Sequence, residues 1–145
     1  MRVVLQRVLH ASVFVGGRSV AAIGKGILVL VAFSGEDGPD QARWMADKIV
    51  SLRIFPDHEG RMNRDVREVG GSVLVVSQFT LYADARKGRR PSFVRAAHPD
   101  QAEVNYLRFI SDLKQHDIAV ATGEFGALME VNLLNDGPVT LILDR

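Results

Sequence analysis

The chain has no cysteine in 145 residues. That excludes a disulfide scaffold, a thiolate nucleophile and any zinc site built on sulfur. Its four histidines, His10, His58, His98 and His116, lie far apart with no HxH or HxxxH spacing, so no metal is expected. GxxxxGK[ST], GxGxxG and GxSxG are all missing, which removes the usual triphosphate, dinucleotide and nucleophile-elbow signatures. No cofactor is called for. Long apolar runs are missing too: the longest is Ile27 to Phe33, against the roughly 18 residues that mark a membrane span. Arg2, Gln6, Arg7 and His10 break up the N-terminal apolar residues, leaving no signal-length core. These absences read as a soluble, cytoplasmic protein with no membrane partner.

What is present is ordinary in bulk: 47% hydrophobic and 24% charged residues, near the globular average. The length corresponds to about one domain, residues 1–145, long enough to bury a core unaided. Net charge is +1, from 18 Lys+Arg and 17 Asp+Glu. The charge is concentrated, however. Arg86, Lys87, Arg89, Arg90 and Arg95 fall within one short stretch free of acids, and the remainder of the chain is mildly acidic. Such a segment is either a solvated loop or a local contact for phosphate.

Val3–Val8 and Ala11–Val15 are predicted strands, with Gly16-Gly17 turning the chain into a partner at Arg18–Ile23. Ile27–Phe33 is a continuous apolar run and hence a buried strand. Ala42, Met45, Ile49 and Leu52 recur at helical spacing and predict a helix from Pro39 to Leu52. Pro56 to Gly60 breaks the chain, and Ser72–Phe79 is a further strand. Pro99 opens a second helix with Tyr106, Ile110 and Leu113 on its apolar face and Leu107 beside them. Ile118–Ala121, the Met129–Leu133 alternation and Val139–Leu143 are the remaining strands, the last two joined by a turn at Asn135-Asp136-Gly137-Pro138. The fold class is mixed α/β. A predominantly antiparallel or mixed sheet, as packed sheets or an open barrel, is covered by two helices.

Two segments have the composition for chemistry. Ser77, Gln78, Phe79 and Thr80 follow Val73-Leu74-Val75-Val76 abruptly. Either they finish a strand by bonding to the next turn, or their hydroxyl, amide and backbone N–H groups converge on an oxyanion. Asn135 to Thr140 is a turn whose Gly137-Pro138 bond has only a small trans preference, so a fold can lock it cis and aim its carbonyls. The residues alone leave the isomer open.

Taken together, Gln6-Arg7-Val8, Arg53-Ile54-Phe55, Gly70 to Leu81 with its SQFTL string, Arg90-Pro91-Ser92-Phe93, Thr122-Gly123-Glu124-Phe125 and NDGPVT at Asn135–Thr140 resemble the D-aminoacyl-tRNA deacylase family over nearly the whole chain. The resemblance implies a homodimer with active sites at the subunit interface. It implies hydrolysis of the ester joining a D-amino acid, or glycine, to tRNA, with L-esters rejected. It places Ser77, Gln78, Phe79 and Thr80 in catalysis and Gly137, Pro138 and Arg7 in chirality selection. Gly137-Pro138 is then cis and reaches into the partner's site, held by Arg7. Ala102, Phe125 and Met129 line the terminal adenosine pocket, where the residues alone equally allow plain core. Lys87, Arg89 and Arg90 contact the tRNA backbone. Water, with Thr80 as the other option, is the nucleophile. The competing readings are a non-catalytic nucleic-acid-binding module and a general threonine esterase.

Overall fold

Strand β1 runs from Arg2 to Val15 without a break in the computed structural model, which describes all 145 residues. Two shorter strands were expected because the apolar alternation fails at Leu9-His10. The cause is a shift of register against the last strand between Gln6 and His10. Val3 and Leu5 bury in one core, while Val8, Ala11 and Val13 bury in a second. One long strand thus serves both.

From the Gly16-Gly17 turn, β2 (Arg18–Ile23) returns antiparallel to the far half of β1. Strand β3 (Gly26–Ala32) is antiparallel to the near half, from Arg2 opposite Ala32 to Val8 opposite Gly26. Helix α1 (Pro39–Ser51) follows, then a two-strand hairpin, β4 (Phe55–Pro56) and β5 (Met62–Arg64), where only a break was expected. Strand β6 (Ser72–Ser77) runs parallel to β3. Helix α2 (Pro99–Lys114) makes the second crossover to β7 (Ala119–Thr122), parallel to β6. Strand β8 (Glu130–Asp144) closes the molecule along β1. The main sheet therefore has six strands and is mixed, in the order β2-β1-β3-β6-β7 with β8 on β1. Strand β2 comes back against β6 and β7, so the sheet is nearly closed.

Both helices begin with proline in the first turn and carry an acid there, Asp40 or Asp100, and a lysine in the last turn, Lys48 or Lys114. Each charge complements the helix dipole. Ala42, Met45 and Ile49 of α1 and Tyr106, Phe109 and Leu113 of α2 fill the larger core against one face of the sheet. Leu107 is not part of it, being 59% exposed, and Phe109 takes that place. The second core, around Leu28, Leu74 and Val76, lies on the opposite face of the sheet.

The expected turn at Asn135–Pro138 is corrected most clearly. Strand β8 does not reverse there; it continues along β1. Between the pairs Val8–Asn135 and Gln6–Thr140, two steps on β1 face five on β8. The surplus bulges out of the ladder, leaving Gly137 and Pro138 exposed.

Close approach of β3 and β6 requires Gly26 to lack a side chain: a Cβ there would lie 1.9 Å from the Ser72 carbonyl oxygen. Backbone cannot yield as a side chain does. Gly26→Ala is expected to cost at least about 1–3 kcal/mol of stability, read from denaturant unfolding, because the parallel ladder must separate.

Candidate functional site

The end of β6 is set by its parallel neighbour. Ser77 lies opposite Val31, and the Gln78 N–H adds one more bond by donating to the Val31 carbonyl at 2.8 Å. The chain then leaves the sheet. Phe79–Tyr82 is a single 3-10 turn, not the tail of the expected strand. Leu81 N–H donates to the Gln78 carbonyl at 3.1 Å, so the N–H groups of Phe79 and Thr80 precede the first bond of that turn. Gln78 Nε2 donates to Thr80 Oγ1 at 2.5 Å. Phe79 and Thr80 are exposed, while Ser77 and Gln78 are half-buried.

Beside this strand tip opens a cleft of about 710 Å³, within the roughly 300–1,000 Å³ of small-ligand sites. Ser77, Gln78 and Phe79 form one part of its lining, and Ala102, Phe125 and Met129 another. Six positions nominated from three separate stretches of sequence share one space. Phe79 and Phe93 meet edge to face, with centroids 5.1 Å apart, on its rim. Val94 and Leu128, absent from the sequence-derived set, also line it and are 91% and 92% exposed. No carboxylate lines the cleft, and its one titratable side chain is His98. No group of three or more His, Asp or Glu is placed so that it could hold a metal ion.

Tyr106, read from the sequence as core, has a further part. Its hydroxyl donates to the Val75 carbonyl at 3.0 Å, and its ring packs on Phe125 at 5.6 Å. The signal was present in the residue type, since a buried tyrosine must find a partner for its O–H.

Gly137-Pro138 is cis. Gly137 has a φ of 124°, and a Cβ there would lie 2.8 Å from Val139 Cγ2 and 3.1 Å from Arg7 Nη2. Arg7 is buried behind this corner. It donates to the Ile54 carbonyl at 2.5 Å, and its Nε sits 2.9 Å from Asp136 Oδ2 as an ion pair out of line for a hydrogen bond. Asn135 Nδ2 donates to the carbonyls of Arg7 and Val139, replacing ladder bonds that the bulge forfeits. The corner is remote from its own chain's cleft. It lies beside Arg7, which is level with Val73 through Ile27, whereas the cleft's lining on β6 begins at Val76, about 10 Å further along the strands. On β8 itself the lining includes Val131, six residues before Gly137, and neither Gly137 nor Pro138.

The basic loop is clamped at its base by reciprocal backbone bonds between Asp84 and Ser92, at 2.8 and 2.9 Å. Its cations divide. Arg86 is held by Asp84, whose carboxyl that hydrogen bond keeps well below the ordinary range. Arg95 lies over the Tyr82 ring at 5.6 Å. Lys87, Arg89 and Arg90 are exposed and form no ion pair.

Fold and cleft together define a mixed α/β protein with an aromatic-lined site ending at a hydroxyl-bearing strand tip. A family model described as D-Tyr-tRNA(Tyr) deacylase matches residues 4–144. The D-aminoacyl-tRNA deacylase of Chloroherpeton thalassium is 56% identical over 99% of this chain and 95% of its own length. That of Exiguobacterium sibiricum is 54% identical over the full length of both. Among solved structures, a c-Myc DNA unwinding element binding protein superposes with a TM-score of 0.93 at 41% identity, covering 100% of this chain and 99% of that one. A probable eukaryotic D-amino acid tRNA deacylase shares the fold at a TM-score of 0.83 and 20% identity, over 99% and 98% of the two chains. The chain belongs to the D-aminoacyl-tRNA deacylase family, whose members are hydrolases of ester bonds.

Burial pushes the Tyr106 hydroxyl from its ordinary value of 10.0 up to about 12. The unfolded chain therefore releases this proton first, and stability must fall as pH rises from about 10 to 12. Thermal unfolding of Tyr106→Phe across that window is expected to show a flatter alkaline decline than the parent chain.

Proposed function

We propose that this chain hydrolyses D-aminoacyl-tRNA, and glycyl-tRNA, to free amino acid and tRNA while sparing L-aminoacyl-tRNA. The observation that supports it most directly is the shared cleft. Phe125 and Met129 offer an adenine ring a stacking face and an adaptable wall, with Ala102 leaving room. The strand tip then lies where an ester on the ribose would reach. Water attacks the carbonyl carbon, the Phe79 and Thr80 N–H groups and the Gln78 amide stabilise the oxyanion, and the bond to the ribose oxygen breaks with a proton passing to that oxygen. Each such donor is typically worth about 10²–10³ in rate. Thr80 Oγ1 receives a hydrogen bond from an amide, which is no base, so the hydroxyl has no group here to take its proton. The adjacent ribose 2′-hydroxyl supplies proton transfer in place of the missing side chain.

Chirality is read by the main chain. Gly137 and Pro138 bulge from the β8–β1 ladder, are exposed, and do not line their own chain's cleft. We therefore assign them to the site of a second copy in a homodimer, with the exposed Leu9 and Leu134 beside the corner as apolar contact. Carbonyls there bind the α-ammonium of a D-ester and leave no volume for an L side chain. Glycine has nothing to exclude and passes. Lys87, Arg89 and Arg90, unpaired and outward, take the tRNA backbone. The protein acts in the cytoplasm, where aminoacyl-tRNA is found. No helix is long and apolar enough to cross a membrane.

The deciding measurement is hydrolysis of paired D- and L-aminoacyl-tRNA. Selective loss of the D-ester is expected, and equal cleavage makes the chain a general esterase. Binding without turnover favours the second reading, a nucleic-acid-binding module, which draws support from the DNA-binding name of the 41%-identical neighbour. Thr80→Ala is expected to slow turnover without abolishing it. Complete loss, with an acyl-threonine trapped in the parent enzyme and seen by mass spectrometry, would make Thr80 the nucleophile. Replacing Lys87, Arg89 and Arg90 together with alanine should weaken tRNA binding and flatten its salt dependence by up to about two to three logarithmic units per decade of salt, roughly 0.7–0.9 for each phosphate no longer neutralised. An unchanged slope removes them from the interface.

A further inference from the structure

A second cleft, of about 930 Å³, adjoins the first, and Val94 lines both. Val94 and Ala96 face the aromatic cleft, whereas Arg95 between them turns the other way, into the second space. Val94 is thus a ridge one residue wide, 91% exposed. On its far side the Arg95 guanidinium is seated over the Tyr82 ring at 5.6 Å, and Tyr82 is itself buried. Of the three acids lining that space, Asp37 is paired with the Met1 ammonium at 2.6 Å and Asp144 with Arg2 at 2.7 Å, while Glu36 is exposed and forms no ion pair. Arg95 forms no ion pair, although it stands on a rigid seat. The opposite rim of the aromatic cleft has the other sign at Glu130, which is exposed and forms no ion pair, whereas Glu124 at the other end of the Phe125–Met129 segment is paired with Arg18 at 3.5 Å. A polyanion leaving the aromatic cleft is therefore directed over Val94 and not across the opposite rim.

We infer that Arg95 binds the phosphodiester immediately 5′ of the terminal nucleoside, so that a single-stranded 3′ end drapes over the Val94 ridge with its last base in the aromatic cleft and its next phosphate on the guanidinium. The inference rests on the proposed nucleoside ester substrate and specifies how its strand is held. A planar guanidinium fixed over an aromatic ring presents its N–H groups to a phosphate with little further ordering. Arg95 is a binding group for the strand and takes no part in the reacting bonds. It differs from Lys87, Arg89 and Arg90 in touching the 3′ end itself.

The test compares three substrates bearing the same D-amino acid: the full tRNA, an aminoacylated CCA trinucleotide and the aminoacyl-adenosine, which has no phosphodiester. For Arg95→Ala, KM is expected to rise about five- to tenfold on the first two and less than about twofold on the third, with kcat little changed. The salt slope for tRNA should fall by about 0.7, the value for one neutralised phosphate on a single strand. Arg95→Lys, which keeps the charge, should restore much of the KM. An equal penalty on all three substrates means that Arg95 merely supports Tyr82, and no penalty on any means that the strand leaves elsewhere; either overturns the inference. Equilibrium binding of uncharged CCA-ended RNA gives an independent reading. If the parent chain binds this RNA but hydrolyses none of the esters, the hydrolytic function fails while loss of affinity in Arg95→Ala still upholds the phosphate contact, and undiminished affinity refutes it.

Discussion

The Val75 carbonyl oxygen accepts two hydrogen bonds, from the Gly123 N–H at 2.9 Å, which extends the β6–β7 ladder by one residue, and from the Tyr106 hydroxyl at 3.0 Å. Three elements meet at that atom. Two residues further along β6 comes Ser77 and the polar strand tip; one turn back along α2 lies Ala102; two residues beyond Gly123 comes Phe125. The strand tip, Ala102 and Phe125 therefore hang from one buried acceptor, while the Phe93–Ala97 wall is held separately, through the Ala97 N–H donating to the Phe33 carbonyl at 2.8 Å. In a low-dielectric interior such bonds are stronger than in water, and an unmet donor there is costly. The cleft is consequently a product of core geometry, and loop placement follows from it. Tyr106 extends the same logic to packing, because its ring also backs Phe125.

Much of the fold was legible because the signals were local. Gly16-Gly17 between two apolar segments specifies a hairpin whatever surrounds it, and the spacing of Ala42, Met45 and Ile49 specifies a helical face. The failures share a cause. Asn-Asp-Gly-Pro encodes a departure from extended backbone, but a departure can become a reversal or a bulge. The choice is made by β1, which pairs with both flanks of the segment, and by Asn135, whose amide bonds to the Arg7 and Val139 carbonyls. Neither is visible within six residues. The strand-like run Ser72–Phe79 likewise extends two residues beyond β6, since Val31, near the end of β3, offers Gln78 the last backbone partner. Strands β4 and β5, two and three residues long, are too short to show a period at all.

The candidate site was legible by another route. Composition leaves Phe125 and Met129 divided between core and pocket, and the structure gives each both a core side and a cleft side. Each packs against a buried cluster on one side and lines the cleft on the other. A residue at the boundary of a core carries apolar chemistry for two purposes, and no period in the sequence separates them. The resemblance of whole strings was needed to nominate Ala102 beside them, for an alanine in a helix carries no chemical signal of its own. What neither route supplied was the ridge at Val94 and the seat of Arg95 on Tyr82, which join positions distant in the chain.

Under the proposed function, discrimination by handedness places an unusual demand on the protein. Side chains of the substrate vary, so the reader must ignore them and respond only to their direction from Cα. Main-chain carbonyls meet that demand if they are held as firmly as a core. The corner at Gly137-Pro138 is exposed, yet the groups that hold it are not: Arg7 is buried, joined to the Ile54 carbonyl on one side and to Asp136 on the other. Rigidity is supplied from behind, leaving the projecting face free of any side chain that the ligand would have to avoid. With the corner assigned, as proposed, to the site of a second copy, that rigidity serves a neighbour. A lone protomer then has the groups for hydrolysis without the groups for selection. Assembly becomes the step that confers chirality on the site.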